Sequence, residues 1–203
     1  MFNIAVFVSG RGSNLKSLYE KISGDKIKIC SVISDKNDCG AVRFAVEKKI
    51  PVFLVSKKNE TGFLNFTELE KQLKKFSIDL IVLAGFLKKV PDEFIDAFEN
   101  RIINIHPALL PSFGGKGMYG LNVHKAVFES TARISGATVH FVDKVYDHGI
   151  IIDQQVVDIS DVKSPEEIAE RVLKIEHEIL PAVVKKIAEH KIIINQKRVH
   201  IAE

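Results

Sequence analysis

The chain has 203 residues, 46% hydrophobic and 27% charged, with 29 basic against 26 acidic side chains and a net charge of +3. That composition excludes a disordered or fibrous protein, and a chain of this length buries roughly 70% of its unfolded surface, enough for a core and a cleft. The longest clean apolar stretch, residues 80–87, is far shorter than the roughly 20 residues of a membrane helix.

The expectation is therefore one cytoplasmic domain over residues 1–203, with no membrane partner. Phe2–Val8 has no basic leader, and Ser9-Gly10-Arg11-Gly12 interrupts it before a signal-peptide core is reached. Paired lysines such as Lys57-Lys58 and Lys74-Lys75 lack interleaved aromatics, so they suit solubility better than nucleic-acid binding. Cys30 and Cys39 lack Cys-x-x-Cys spacing and read as reduced thiols.

Phe2–Val8 reads as a buried strand, and Ser13-Asn14 as the cap of a helix carrying Leu15, Leu18, Tyr19 and Ile22 at 3.6-residue spacing. Strands follow at 29–33, 52–55, 80–84 and 102–105. Helices are predicted at 41–48, 63–76 and 91–98, the last with Pro91 at its first position. Apolar strands each followed by a helix imply an open, mostly parallel twisted α/β sheet with helices on both faces. After Ile105 a long loop, rich in proline and glycine, precedes a helix at 121–130; loops of that length are usually functional. Strands at 137–142 and 150–157 come next. A long helix then opens at Ser164-Pro165-Glu166-Glu167 with a capping box, an apolar stripe of Ile168, Val172, Ile175, Ile179 and Val183, and a kink expected at Pro181.

Three places can carry chemistry. The loop Ser9-Gly10-Arg11-Gly12-Ser13-Asn14 joins the first strand to a helix N-terminus, where a backbone can approach a phosphate; a bare tight turn is the plain alternative. Leu15 stands where a dinucleotide motif has its third glycine, which favours a monophosphate even though Asp35 ends the second strand where a ribose-binding acid belongs. Asn104 and His106 alternate to one side of the fifth strand at its carboxyl end, the edge where open α/β sheets bind ligands. Asp143, Asp147 and His148 lie in the turn between two later strands, without metal-ligand spacing. An Asp147 folded back beside His106 would raise the imidazole pKa above its ordinary value. His124, on the polar side of its helix, and His140, alternating with apolar strand residues, read as structural.

In order along the chain come G-R-G-S-N-L, A-G-F-L before Pro91, N-I-H-P-A-L-L-P from Asn104, and the Asp147 turn ending at Gly149. Over about residues 2–190 the chain resembles the folate-dependent glycinamide ribonucleotide transformylases, the phosphoribosylglycinamide formyltransferases of purine biosynthesis. The N-x-H-P-x-L-L-P segment is shared by the wider formyltransferase family, and the G-x-G-S-N loop points to this branch. The resemblance implies a Rossmann-like formyltransferase fold and 10-formyltetrahydrofolate as cosubstrate, with no metal. It implies that Asn104 and His106 act at the formyl carbon and that Asp147 raises the histidine's pKa. Gly12, Ser13 and Asn14 match the loop that holds the ribonucleotide phosphate, and Glu176 the acid that contacts its ribose. Leu87, Lys88, Lys89 and Val90, with Asn104 and the turn from Asp143 to Asp147, match the pterin-holding segments.

The chain departs from the family pattern at Ala108, at residues 114–120, at His148 before Gly149, and near residue 63, where no arginine stands. Other readings have their own requirements. A formyltetrahydrofolate deformylase would carry a regulatory segment before Phe2, and a methionyl-tRNA formyltransferase would carry an RNA-binding domain beyond the last helix. A non-catalytic nucleotide-binding module, motivated by the glycine loop and Asp35, leaves the second half of the chain unexplained.

Overall fold

Strand β1 (Phe2–Val8) sets the architecture: Ile4 to Val8 have no exposed surface, the burial of a strand covered on both faces. The structure is a computed structural model and describes residues 1–22, 26–58, 60–195 and 198–202. It divides into two compact units, residues 1–103 and 104–203.

In the first unit β1 is followed by α1 (Ser13–Lys21), β2 (Ile27–Ser34), α2 (Gly40–Glu47), β3 (Val52–Leu54), α3 (Phe66–Lys75), β4 (Leu80–Leu83) and α4 (Asp92–Ala97). The pairs β1–β2, β1–β4 and β2–β3 are parallel. Phe94 stacks edge-on against Phe66 at 5.3 Å and tilts over Phe98 at 5.0 Å, while Phe7 meets Phe86 at 5.3 Å. Such pairs add about 0.5–1.5 kcal/mol each beyond their buried area.

Helix starts differ in detail from the expectation. The cap of α1 is Gly12 rather than Ser13-Asn14, because the chain turns through the left-handed region there, at φ 77°. Pro91 is the residue before α4 rather than its first residue, with an extended ψ of 148°. Asn65 forms a full capping box with Glu68 and starts α3 three residues later than expected.

Strand β5 (Ile102–His106) spans the boundary of the two units. The second unit continues with α5 (Leu121–Glu129), β6 (Ile134–Phe141), β7 (Ile151–Asp158) and α6 (Pro165–Ala188), then two short strands, β8 (Ile192–Asn195) and β9 (Arg198–Ile201). β6–β7 and β8–β9 are antiparallel. The β8–β9 pair, after the last predicted helix, has no counterpart in the sequence reading.

Helix α6 packs on β6, β7 and α5. Ser164 Oγ accepts the Glu167 N–H, but the Glu167 carboxylate returns to the Lys163 N–H, one residue outside the expected box. The helix runs through Pro181 as one element, and its buried stripe takes Glu176 in place of Ile175. Among the described residues the main sheet has seven strands in the order β3-β2-β1-β4-β5-β6-β7, the mostly parallel α/β fold expected. No helix among them is long and apolar enough to cross a membrane.

Candidate active site

The end of β5 carries Asn104 and His106, and both side chains are engaged within the second unit. His106 is buried, 3% exposed. Its Nδ1 lies 3.6 Å from Asp147 Oδ1, and its Nε2 lies 2.9 Å from the Phe113 carbonyl oxygen. A carbonyl can only accept, so Nε2 carries a proton and donates it there. Asp147 reaches the imidazole from the turn after β6, with its own φ in the left-handed region at 54°. Its Oδ2 accepts the Gly115 N–H at 2.8 Å.

Asn104 is held by a second histidine. His140, 2% exposed, donates its Nδ1–H to the Phe141 carbonyl at 2.7 Å. Its Nε2 is then left as the acceptor for Asn104 Nδ2 at 3.1 Å, and lies 3.7 Å from Asp147 Oδ1. One Asn104 amide hydrogen is spent on His140. The structure therefore brings Asn104, His106 and Asp147 into one cluster and adds His140, a functional candidate the sequence reading missed. The signal was present: His140 alternates with Thr138 on β6, and an alternating polar pair in a buried strand needs partners.

The electrostatics correct one expectation. Burial, the largest influence, pushes the His106 imidazole below its ordinary pKa. Asp147 and the Phe113 carbonyl pull upward without reversing it, and His140 adds to the depression. Asp147 does not raise the net value above the reference, because desolvating the cation outweighs the attraction of one carboxylate. For Asp147 burial acts upward as the largest single influence, but the neighbouring His140, His106 and the Gly115 N–H together hold its carboxyl below the usual range. His124 is not on a polar face. It is 6% exposed on α5, and burial, with a smaller contribution from His106, pushes it down to about 4.

In the first unit the glycine loop is shaped by packing. A Cβ at Gly12 would sit 2.7 Å from the Ala41 Cβ, and the Ala41 N–H donates to the Gly10 carbonyl at 3.1 Å, so the loop lies against the start of α2. Ser13 and Asn14 occupy the first turn of α1, where helical N–H groups have no intrahelical acceptor. Leu15 is fully buried. Beside the loop, the Leu87 N–H donates to Ser9 Oγ at 2.9 Å, while the Ser9 N–H donates to the Gly85 carbonyl at 3.1 Å, continuing the β1–β4 ladder after β4 has ended. Leu87 is 48% exposed, but Val90 is buried in the core, so only its backbone can meet a ligand. Lys88 Nζ is 4.0 Å from Asp35, and Lys89 pairs with Asp92 at 3.0 Å.

Two other expected site residues lie elsewhere in the second unit. Asp143 closes its own turn, accepting from Val145 N–H at 2.8 Å and meeting His148 Nδ1 at 2.9 Å. Glu176 is buried on α6.

Comparison with known proteins gives a consistent result. The family model described as formyl transferase matches residues 2–184. The chain is 46% identical over 193 residues to a chloroplastic phosphoribosylglycinamide formyltransferase of Arabidopsis thaliana, covering 93% of this chain and 66% of that protein. It covers 62% of the cowpea (Vigna unguiculata) counterpart, so it spans just under two thirds of these plant relatives. The phosphoribosylglycinamide formyltransferase of Haemophilus influenzae is 36% identical, over 95% of this chain and 90% of its own. A crystal structure of the Anaplasma phagocytophilum phosphoribosylglycinamide formyltransferase superposes with a TM-score of 0.90 at 34% identity, covering all of this chain and 95% of that one.

Proposed function

The chain belongs to the formyl transferase family, and on that premise we propose that it transfers the formyl group of 10-formyltetrahydrofolate to the primary amine of glycinamide ribonucleotide in purine biosynthesis. The observation that carries the reading is the buried His106–Asp147 pair beside an Asn104 amide oriented by His140.

The chemistry follows from the charges. Attack by the amine puts negative charge on the formyl oxygen and positive charge on the attacking nitrogen. The other Asn104 amide hydrogen meets the oxygen, a contribution of about 3 kcal/mol for one such donor. His106, its pKa depressed by burial, takes the proton from the attacking nitrogen, directly or through water, at Nδ1, the ring nitrogen left unprotonated by the Nε2–H bond to Phe113. Asp147 stabilises the imidazolium so formed, which then returns the proton to the departing folate nitrogen. In this reading Gly12, Ser13 and Asn14 hold the phosphate and Glu176 the ribose. Leu87, Lys88, Lys89 and the backbone of Val90 hold the pterin, with Asn104, Asp143 and Asp147. The two small-molecule substrates suffice, with neither metal nor nucleic acid, and the buried free thiols fit a reducing compartment, taken as the cytoplasm.

The test is the absorbance change as 10-formyltetrahydrofolate becomes tetrahydrofolate, followed with and without glycinamide ribonucleotide. Product that forms only with the amine supports transfer. Equal product without it makes the protein a hydrolase, and none in either case removes the reading.

A further inference from the structure

His106 and Asp147 are both addressed by the backbone of one short loop: Phe113 offers its carbonyl to the imidazole, and Gly115 its N–H to the carboxylate. That double contact requires the loop to leave β5 and come back along a fixed path. Phe113 follows that path at a φ of 55°, unusual for a bulky side chain. Gly114 has no room for a Cβ, which would lie 2.6 Å from Leu110 Cδ2 and 3.1 Å from Asp147 Cβ.

The root of the path is held by two side chains that face each other across β6 and β7, Thr138 and Gln154. Thr138 is fully buried and its hydroxyl is saturated. It donates to the Ala108 carbonyl at 2.6 Å and accepts from Leu110 N–H at 3.1 Å and from Gln154 Nε2 at 3.0 Å. Gln154 Nε2 also donates to the Leu110 carbonyl at 2.9 Å. Three backbone groups between His106 and the returning loop are thus tied to two side chains, and the Ser112 N–H closes the turn onto Leu109 at 3.1 Å.

We propose that Thr138 and Gln154 are positioning residues for the His106–Asp147 pair, acting through the backbone of residues 108–115. Neither touches a reacting atom. Their work is to deliver the Phe113 carbonyl to one ring nitrogen of His106, which leaves the other facing Asp147. The proposal deepens the formyl-transfer reading and rests on it for its kinetic consequence, though not for its structural one.

Thr138→Val keeps the side-chain shape and removes the hydroxyl, Thr138→Ser restores the hydroxyl, and Gln154→Leu removes the outer donor. Misplacement of a catalytic pair by an ångström costs up to about a hundredfold in rate. Accordingly Thr138→Val should lower kcat by about 10- to 100-fold, with KM for both substrates within about threefold of wild type. Thr138→Ser should recover kcat to within about threefold, and Gln154→Leu should lower it by roughly 3- to 10-fold. In histidine-labelled protein the ring ¹⁵N resonances of His106 should show a proton fixed on Nε2 in the wild type and a mixture of tautomers in Thr138→Val.

A Thr138→Val enzyme with unchanged kcat and unchanged His106 resonances overturns the proposal. So does a Thr138→Ser enzyme as impaired as Thr138→Val, which would assign the effect to packing. If Thr138→Val does not fold, Gln154→Leu decides by the same two readouts. If the wild type transfers no formyl group, the functional reading falls, and the ¹⁵N comparison alone decides the positioning role.

Discussion

Replacing His106 with alanine should lower kcat/KM for formyl transfer by at least about a thousandfold while leaving the fold intact. The residue supplies two things in the proposed mechanism: the base that takes the amine proton, about 10²- to 10⁴-fold by itself, and the acid that then protonates the departing folate nitrogen. The loss should be non-additive with Asp147→Asn, because Asp147 acts through the imidazole; the double variant should be little slower than His106→Ala alone. Asn104 and His140 keep their mutual hydrogen bond when His106 is shortened, so the far-ultraviolet circular dichroism and the binding of glycinamide ribonucleotide should be retained. Turnover within about threefold of wild type would remove His106 from the mechanism.

The second large effect is on stability rather than rate, and it comes from His124. Its imidazole is buried on α5 and its pKa is pushed down to about 4, against an ordinary value of 6.5. Between those two values the unfolded chain binds a proton at this position and the folded chain does not. Unfolding is therefore increasingly favoured as pH falls from 6.5 toward 4, and the loss is complete below 4. The shift corresponds to about 3 kcal/mol, a large share of a typical folding free energy. His106, also depressed by burial, acts in the same direction. Urea unfolding at pH 7 and at pH 4.5 separates the two: His124→Leu should lose most of the pH dependence while staying folded at both. Equal pH dependence in wild type and His124→Leu would show that His124 is not the group responsible.

Much of the scaffold was legible because it rests on local rules. An apolar run bounded by glycine made β1, and Ser164-Pro165 started α6. Asn104 and His106 could be paired because alternation along a strand is fixed by backbone geometry. What resisted reading depended on partners far away in sequence. The polar look of His124 gave no hint that α5 turns it inward, and the depressed His106 pKa required the balance between burial and one carboxylate. The tautomer of His140 is set by the carbonyl of its own neighbour, Phe141, yet its effect falls on Asn104, 36 residues earlier. Thr138 and Gln154 are ordinary strand residues until the turn from Ala108 to Leu110 is laid across them. At Gly12 the motif was visible, but the reason for that glycine was the Ala41 side chain against it.

The two cysteines both lie in residues 1–103: Cys30 on β2 at 6% exposure and Cys39 just before α2 at 9%. Burial also raises the Cys30 thiol, and a disulfide reagent such as dithionitrobenzoate cannot reach either buried sulfur in the closed unit. The colour it releases is then a clock that runs only while residues 1–103 are open. Residues 104–203 contribute no thiol, so the same clock is silent about them, and the opening of one unit can be timed without labelling the protein.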